Sequence, residues 1–210
     1  ALSTDKASSP INLYGATKLT SDKLFVAGNS YSGEHGTKFS IVRYGNVMGS
    51  RGSVIPFFMS LVGSEEIPIT DERMTRFMIP LEDAVKLVWH ALGDMVGGEI
   101  YVKKIPSMKV TDLAKAIAPD SKIKLIGIRP GEKLHEQMIG QEDSLNTFEY
   151  FNYYKILPMI NGWGKCLERI KNGKRVPEGF TYSSHNNDNW MSDEQLRLWI
   201  SNNKKIIGKI

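Results

Sequence analysis

Small and apolar residues recur at intervals of three and four in the first part of the chain, which predicts one long helix over about residues 12–30. Ser9 and Asn12 are both plausible N-caps for this helix. A run of β-branched and aromatic residues at 39–44 predicts a buried parallel strand, which ends in a loop punctuated by glycines at 45–52. The residues that set the helical spacing are Leu13, Ala16, Thr17, Thr20, Leu24 and Ala27.

Helical and strand patterns continue to alternate up to about residue 140, which is typical of an α/β fold. A last helix starts at Ser192, whose spacing to Gln195 fits a capping box. The intervening sequence, from about residue 141, is rich in aromatic and Asn residues and indicates no function by itself. The other predicted helices cover residues 54–62, 81–92 and 111–118, and the other predicted strands cover 67–70, 99–102 and 123–128.

The composition is that of a globular protein. The chain has 210 residues, of which 41% are hydrophobic and 24% are charged, enough for one good core or two small ones. No run approaches the roughly 18 apolar residues of a membrane span, and the first thirty residues lack a signal-peptide layout, so we expect no membrane contact within this chain. A single cysteine, Cys166, cannot form an internal disulfide, which favours a cytoplasmic location.

The charge pattern does not favour nucleic-acid binding. Lys and Arg number 27 against 23 Asp and Glu, for a net charge of +4, and the basic residues are scattered rather than clustered. The four histidines, His35, His90, His135 and His185, stand singly and without a cysteine partner, so we predict no metal site.

Tyr14 and Lys18 lie four residues apart on the first predicted helix, so their side chains share one face. A tyrosine acts as a general base when a neighbouring ammonium stabilises its phenolate. A solvated helix face produces the same spacing, and the pair alone is therefore weak evidence for catalysis.

Polar residues that end a preceding strand strengthen the catalytic interpretation. Thr4, Asp5 and Lys6 follow Ser3 directly, where open α/β sheets place their ligands. Small residues such as Gly15 surround the Tyr–Lys pair and allow a ligand to approach. The alternative for the adjacent Asp and Lys is an exposed ion pair in a loop.

Four motifs carry a resemblance to the extended short-chain dehydrogenase/reductase family. Within that family, the chain is most similar to the inverting UDP-N-acetylglucosamine 4,6-dehydratases that begin pseudaminic acid synthesis, because related retaining dehydratases generally carry Met at the position of Tyr14. The motifs are S-T-D-K-A and P-x-N-x-Y-G-A-T-K between Ser3 and Lys18, R-Y-G-N-V-x-G-S-R-G-S-V-I-P at 43–56, T-R-F at 75–77 and R-P-G-E-K-x-H-E at 129–136.

The resemblance implies an α/β fold: the C-terminal part of a doubly wound, Rossmann-like parallel sheet, with a smaller α/β substrate-binding region. We expect residues 1–53 to belong to the dinucleotide-binding domain and to carry the catalytic helix. Residues 54–140 would form the substrate-binding region, interleaved with the last Rossmann elements, and residues 141–210 a C-terminal extension.

The resemblance also implies the reaction and its residues. UDP-N-acetylglucosamine would be dehydrated to a 4-keto-6-deoxy sugar with inversion at C5, using a recycled NADP, with NAD possible, in a homo-oligomer. A retaining 4,6-dehydratase, a C4 epimerase and an inactive sugar-nucleotide-binding fragment stay open as alternatives. The implied catalytic residues are Thr4, Asp5, Lys6, Tyr14 and Lys18, of which Tyr14 and Lys18 also contact the cofactor, and the implied substrate-binding residues are Lys6, Asn46, Arg51, Arg76, Arg129 and Glu132.

One expected feature is missing from these residues. A dinucleotide-binding fold has a glycine-rich turn between its first strand and first helix, and no G-x-x-G-x-x-G spacing occurs here. We therefore expect the sequence to be the C-terminal fragment of a longer protein, with roughly the first half of the sheet upstream of Ala1.

Overall fold

The computed structural model describes residues 1–32, 36–159 and 167–209, so that His35 and Cys166 lie outside the described residues. The chain forms two compact units, each built from three separate segments. The three-part division expected from the sequence, with its interleaved middle region, stays a prediction. Unit 1 consists of residues 1–44, 82–104 and 137–183, and unit 2 of residues 45–81, 105–136 and 184–210.

The strands are short, with two to five residues each. In chain order they are β1 (Leu2–Thr4), β2 (Ile41–Tyr44), β3 (Asn46–Val47), β4 (Glu66–Ile69), β5 (Thr75–Ile79), β6 (Ile100–Lys103), β7 (Ser107–Lys109), β8 (Lys122–Leu125), β9 (Gln137–Ile139), β10 (Thr147–Glu149), β11 (Tyr153–Ile156), β12 (Lys174–Arg175) and β13 (Tyr182–Ser183).

The helices confirm the predictions made from the sequence, except for the short helix Leu167–Ile170, which was not predicted. No helix of the described residues has both the length and the apolar character needed to cross a membrane. They are α1 (Leu13–Tyr31), α2 (Val54–Ser60), α3 (Leu81–Asp94), α4 (Val110–Ile117), α5 (Leu167–Ile170) and α6 (Asp193–Asn203), with short 3-10 turns at Asp5–Ala7 and Glu142–Asn146. The predicted capping box at α6 is present, with both reciprocal hydrogen bonds between Ser192 and Gln195.

Unit 1 is organised around one six-stranded sheet of order β1-β2-β6-β11-β10-β12. β1, β2 and β6 are parallel, which confirms the predicted parallel sheet, and Thr4 at the end of β1 is paired with Tyr44 at the end of β2. The remaining three strands run antiparallel to their neighbours and come from the aromatic region after residue 141. A small core formed by Val42, Leu87, Ala91 and Tyr101 packs within this unit.

Helix α1 turns an unexpected face toward the rest of unit 1. The residues whose spacing predicted the helix are exposed, among them Leu13 and Leu24 at 80% and 67%. Only Gly15 and Asp22 are buried. The helix therefore exists where it was predicted, but its predicted apolar stripe lies at the surface.

Unit 2 contains a three-stranded sheet of order β3-β5-β7 and a parallel pair formed by β4 and β8. Its core includes residues from α2, α4 and α6, such as Phe58, Leu113 and Leu196. The Met side chains 48, 74, 78 and 108 are all buried in this core, so they fill its interior.

Candidate active site

The end of β1 forms a compact hydrogen-bonded cluster of three side chains. Thr4 is the N-cap of the 3-10 turn Asp5–Ala7, and its hydroxyl donates to Oδ1 of Asp5 at 2.9 Å. The Lys6 ammonium donates to the same oxygen at 3.0 Å. The Asp5 side chain is fully buried, whereas the Lys6 side chain is 33% exposed. The pair is thus a buried carboxylate with a partly accessible ammonium, and not an exposed loop ion pair.

The second carboxylate oxygen of Asp5 has a different environment. Oδ2 is buried and has no hydrogen-bond partner among the described residues. Burial of a carboxylate oxygen without a hydrogen-bond donor costs free energy, because the hydrogen bonds to water are lost and no other hydrogen bond replaces them. Oδ2 is therefore the atom of this cluster with unused capacity to hold a proton or to accept a hydrogen bond from a ligand.

Tyr14 and Lys18 lie in the first two turns of α1. The helix begins at Leu13 because the Asn12 side chain accepts a hydrogen bond from the Gly15 amide at 2.8 Å. The Tyr14 side chain is 53% exposed, so its phenol is accessible. The Lys18 ammonium donates to the carbonyl oxygen of Leu2 at 3.3 Å, which ties this face of the helix to β1.

Gly15 brings α1 against the turn that carries Asp5 and Lys6. A Cβ atom at this position would overlap the carbonyl oxygen of Lys6 and lie 2.9 Å from Cβ of Pro10. Only glycine permits this approach. The phenol and ammonium of α1 and the acid and ammonium of the turn are therefore held in one neighbourhood by a direct backbone contact.

A Gly15→Ala substitution is expected to lower the free energy of unfolding by about 1–3 kcal/mol, because the added methyl group forces α1 away from the turn. Urea unfolding measures this change. The matched control is Gly93→Ala in α3, where no atom lies within 4 Å of the added Cβ. That control is expected to stabilise by roughly 0.5–1 kcal/mol through helix propensity. Equal effects at both glycines would contradict the close approach.

Tyr44 joins this cluster, although it was not predicted from the sequence. It ends β2 directly beside Thr4 and is partly buried. Burial, and then repulsion from the Tyr14 phenol, raises the pKa of Tyr44. Its hydroxyl therefore stays protonated at neutral pH and is a hydrogen-bond donor. The signal that was available is its place at the carboxyl end of the predicted strand, where ligands bind in open α/β sheets.

Unit 2 contains a cavity of about 560 Å³ that is lined by four of the substrate-binding residues implied by the sequence. Side chains of Phe57, Pro68 and Ile126 give it apolar walls. Two buried polar atoms at the cavity, Oδ1 of Asn46 and Oγ of Ser53, have no hydrogen-bond partner among the described residues. Such atoms favour a polar ligand in this cavity. The four implied residues are Asn46, Arg76, Arg129 and Glu132.

Arg129 and Glu132 flank a tight turn at the cavity. The Glu132 amide donates to the Arg129 carbonyl oxygen at 3.1 Å, and Gly131 supplies the positive φ of 77° that this turn requires. The Glu132 carboxylate accepts from the Arg129 amide at 3.3 Å. No hydrogen bond or ion pair of the described residues engages the Arg129 guanidinium, which leaves it available for an anion.

The guanidinium groups of Arg76 and Arg51 are less available than that of Arg129 to an anion in the cavity. The Arg76 guanidinium donates to the carbonyl oxygens of Thr75, Lys133 and Leu134 at 2.8–3.1 Å, so most of its capacity holds β5 to the following chain. Arg51 is exposed and is not among the cavity's lining residues.

The histidines with described positions make ring contacts. His90 lies against Tyr153 with ring centroids 4.6 Å apart, and the ring of His135 lies tilted against that of His185 at 4.4 Å. His135 also forms a hydrogen bond with the Thr75 hydroxyl group at 2.8 Å. Within residues 1–32, 36–159 and 167–209, no group of three or more His, Cys, Asp or Glu side chains is arranged to hold a metal ion.

Parallel strands that end in polar side chains, followed by a helix with an accessible Tyr–Lys pair, define a Rossmann-like α/β protein. The chain belongs to the family described as polysaccharide biosynthesis protein, which matches residues 1–158.

Three relatives illustrate the similarity. The inverting UDP-N-acetylglucosamine 4,6-dehydratase of Campylobacter jejuni is 57% identical over 203 residues, which cover 93% of this chain and 61% of the relative. A UDP-glucose 4-epimerase of Rickettsia canadensis is 35% identical over 207 residues, covering 96% and 61%. The X-ray structure of Pen from Bacillus thuringiensis superposes with a TM-score of 0.81 at 36% identity, covering 97% of this chain and 61% of that one. The chain thus spans about three-fifths of the length of these relatives.

Proposed function

We propose that the whole protein dehydrates UDP-N-acetylglucosamine to a UDP-4-keto-6-deoxy sugar with inversion at C5. The observation that carries this proposal is the contact of Gly15 with the Lys6 carbonyl, which holds an accessible Tyr–Lys pair beside a Thr–Asp–Lys cluster. The 57% identity to a relative named as the inverting dehydratase supports the same reaction.

In the first half of the reaction, Tyr14 takes the proton from the sugar 4-hydroxyl group. The Lys18 ammonium, on the same helix face, stabilises the phenolate that this role requires. The Thr4 hydroxyl, which donates to Asp5 in the structure, turns to the 4-oxygen as the ketone forms.

The described residues fit one end of a nicotinamide cofactor. An exposed phenol and an ammonium at the carboxyl ends of parallel strands suit the hydroxyl groups of a nicotinamide ribose. When bound, the cofactor supplies a reversible two-electron oxidation of the sugar carbon. Tyr14 and Lys18 would orient its ribose.

In the second half, Lys6 removes the C5 proton and Asp5 protonates the departing 6-hydroxyl group. The 3.0 Å hydrogen bond between them is the path along which a proton passes from Lys6 to Asp5. Transfer of one proton from Lys6 to Asp5 gives a neutral amine and a carboxylic acid, which are the base and acid needed. Elimination then returns the pair to ammonium and carboxylate, and water leaves. With the two electrons taken from C4 returned to C6 through the bound cofactor, a solvent proton added to C5 from the opposite face would produce the inversion.

The cavity of unit 2 would hold the nucleotide part of the substrate. The Arg129 guanidinium suits a diphosphate oxygen, and the unpaired atoms of Asn46 and Ser53 suit polar groups of the nucleotide. The apolar walls would cover a flat base.

The test is to incubate the whole protein with UDP-N-acetylglucosamine in deuterated water and to identify the product by NMR. We expect a 4-keto-6-deoxy sugar with inverted C5 and one solvent deuterium at that carbon. The same ketone with the original C5 configuration would make the protein a retaining dehydratase. A C4 epimer without loss of water would favour the second candidate, an epimerase, which the 35% identity to the Rickettsia relative keeps open. Binding without turnover would leave a sugar-nucleotide-binding module.

Other expectations from the sequence stay predictions. They are the choice of NADP over NAD, the role in pseudaminic acid synthesis, the homo-oligomer and the cytoplasmic location.

A further inference from the structure

Helix α1 contains a buried carboxylate that the proposed reaction does not use. Asp22 stands eight residues after Tyr14 and four after Lys18, on the same helix face. Its residue exposure is 2%, while most of α1 is exposed. A charged side chain in this position must be paired, because burial of an isolated charge is costly.

The partners of Asp22 come from two neighbouring strands. Oδ2 accepts a hydrogen bond from the Ser3 hydroxyl at 2.9 Å and another from the Arg43 guanidinium at 3.0 Å. Arg43 is also buried, with 3% side-chain exposure. Ser3 and Arg43 are paired residues of the parallel strands β1 and β2. One carboxylate oxygen thus fastens the helix to both strands.

Both strand partners lie one residue before a group of the candidate site. Ser3 precedes Thr4, and Arg43 precedes Tyr44. The helix between Asp22 and Tyr14 is continuous and rises about 12 Å over those eight residues. Because a helix is stiff over this length, its attachment at Asp22 fixes the position of the Tyr14 phenol relative to the strand ends.

We infer that Asp22 is a positioning residue for Tyr14 and Lys18, acting through its hydrogen bonds to Ser3 and Arg43. The inference rests on the proposed function for its kinetic consequence. Asp22 touches neither substrate nor cofactor, so its loss should impair the chemical step and spare substrate binding. A displacement of about 1 Å at a catalytic group is enough to lower a rate roughly 100-fold.

The test uses Asp22→Asn and Ser3→Ala in the whole protein, with Asp143→Asn as the matched control. Asp143 is the other carboxylate near Arg43, at 3.4 Å, and it lies outside α1. We expect Asp22→Asn to lower kcat about 100-fold with KM unchanged within about threefold. Ser3→Ala removes one hydrogen bond and keeps the ion pair, and should lower kcat roughly 3- to 10-fold. The control should retain the original kcat.

Hydrogen exchange gives a second reading that does not depend on activity. In Asp22→Asn, amides of residues 13–22 should exchange about tenfold faster, while those of α3 keep their rates. A variant with the original kcat and the original exchange in residues 13–22 would overturn the inference. Faster exchange throughout unit 1 would also overturn it, since Asp22 would then serve stability alone. If the unmodified protein turns over no UDP-sugar, the proposed function fails, and the exchange measurement still decides the role of Asp22.

Discussion

A Tyr14→Phe variant of the whole protein is expected to convert UDP-N-acetylglucosamine about two to four orders of magnitude more slowly than the unmodified protein. The substitution removes one oxygen atom and leaves the ring. The phenol is 53% exposed and lies on the first turn of a capped helix, so the fold has little reason to change. In the proposed reaction, loss of the proton acceptor for the 4-hydroxyl group blocks the first chemical step. Steady-state kinetics should show the loss in kcat, with KM nearly constant.

The matched control for Tyr14 is Tyr31→Phe at the other end of the same helix. Tyr31 is 87% exposed, and its substitution should leave kcat unchanged. If Tyr14→Phe kept more than about a tenth of the original kcat, Tyr14 would not be the base. An equal loss in both variants would instead indicate a general effect of altering α1.

The helices could be predicted from the sequence because their signals are local. The box at Ser192 and Gln195 and the cap at Asn12 depend on residues within one turn of each other. The orientation of α1 could not be predicted in this way. Its apolar residues lie on one face, which predicted that this face is buried, yet the buried residues of the helix are Gly15 and Asp22. The buried face is decided by partners 9 and 21 residues away, Lys6 for Gly15 and Arg43 for Asp22, which periodicity does not register.

Several strands escaped prediction for a related reason. β10, β11 and β12 are two to four residues long and lie in a region rich in Asn and aromatic residues. Such segments become strands because a neighbouring strand supplies the hydrogen bonds, as β6 does for β11 through the pairing of Val102 with Tyr154. Strand pairing of this kind is a property of the whole sheet.

The candidate site was predicted in part. The motifs identified Thr4, Asp5, Lys6, Tyr14 and Lys18, and the structure places them together at the end of β1 and the start of α1.

The roles of single side chains were less visible in the sequence. Arg76 lines the cavity, and its role toward a substrate stays a prediction. The sequence did not show that its guanidinium donates to main-chain carbonyl oxygens, because every residue has such an acceptor. Ser53 was not predicted as a site residue, and a serine before a helix is ordinarily its cap. Here its hydroxyl makes no capping bond and lines the cavity instead.

An Asp5→Asn variant is expected to separate exchange of the C5 proton from loss of water. Asn cannot deliver the proton that the leaving 6-hydroxyl group needs, so product formation should fall about 100-fold or more. In the variant the Lys6 proton goes to solvent instead of to Asp5, and removal of the carboxylate charge 3.0 Å from the ammonium favours that loss. Exchange at C5 should therefore continue at a rate within about tenfold of the original. In deuterated water, NMR of the recovered substrate would show deuterium at C5, although little product had formed.

Two further variants test whether the separation of exchange from water loss is specific to Asp5. Lys6→Met removes the base and should abolish exchange and product formation together. Asp83→Asn, at a carboxylate on α3 that pairs only with the exposed Lys86 among the described residues, should affect neither. Because Asp5 is fully buried, thermal unfolding of each variant must accompany the kinetics, and rates must refer to folded protein. An equal fall in exchange and product formation in Asp5→Asn would show that Lys6 becomes the base only by passing its proton to Asp5, and that loss of the C5 proton cannot be separated from loss of water by this substitution.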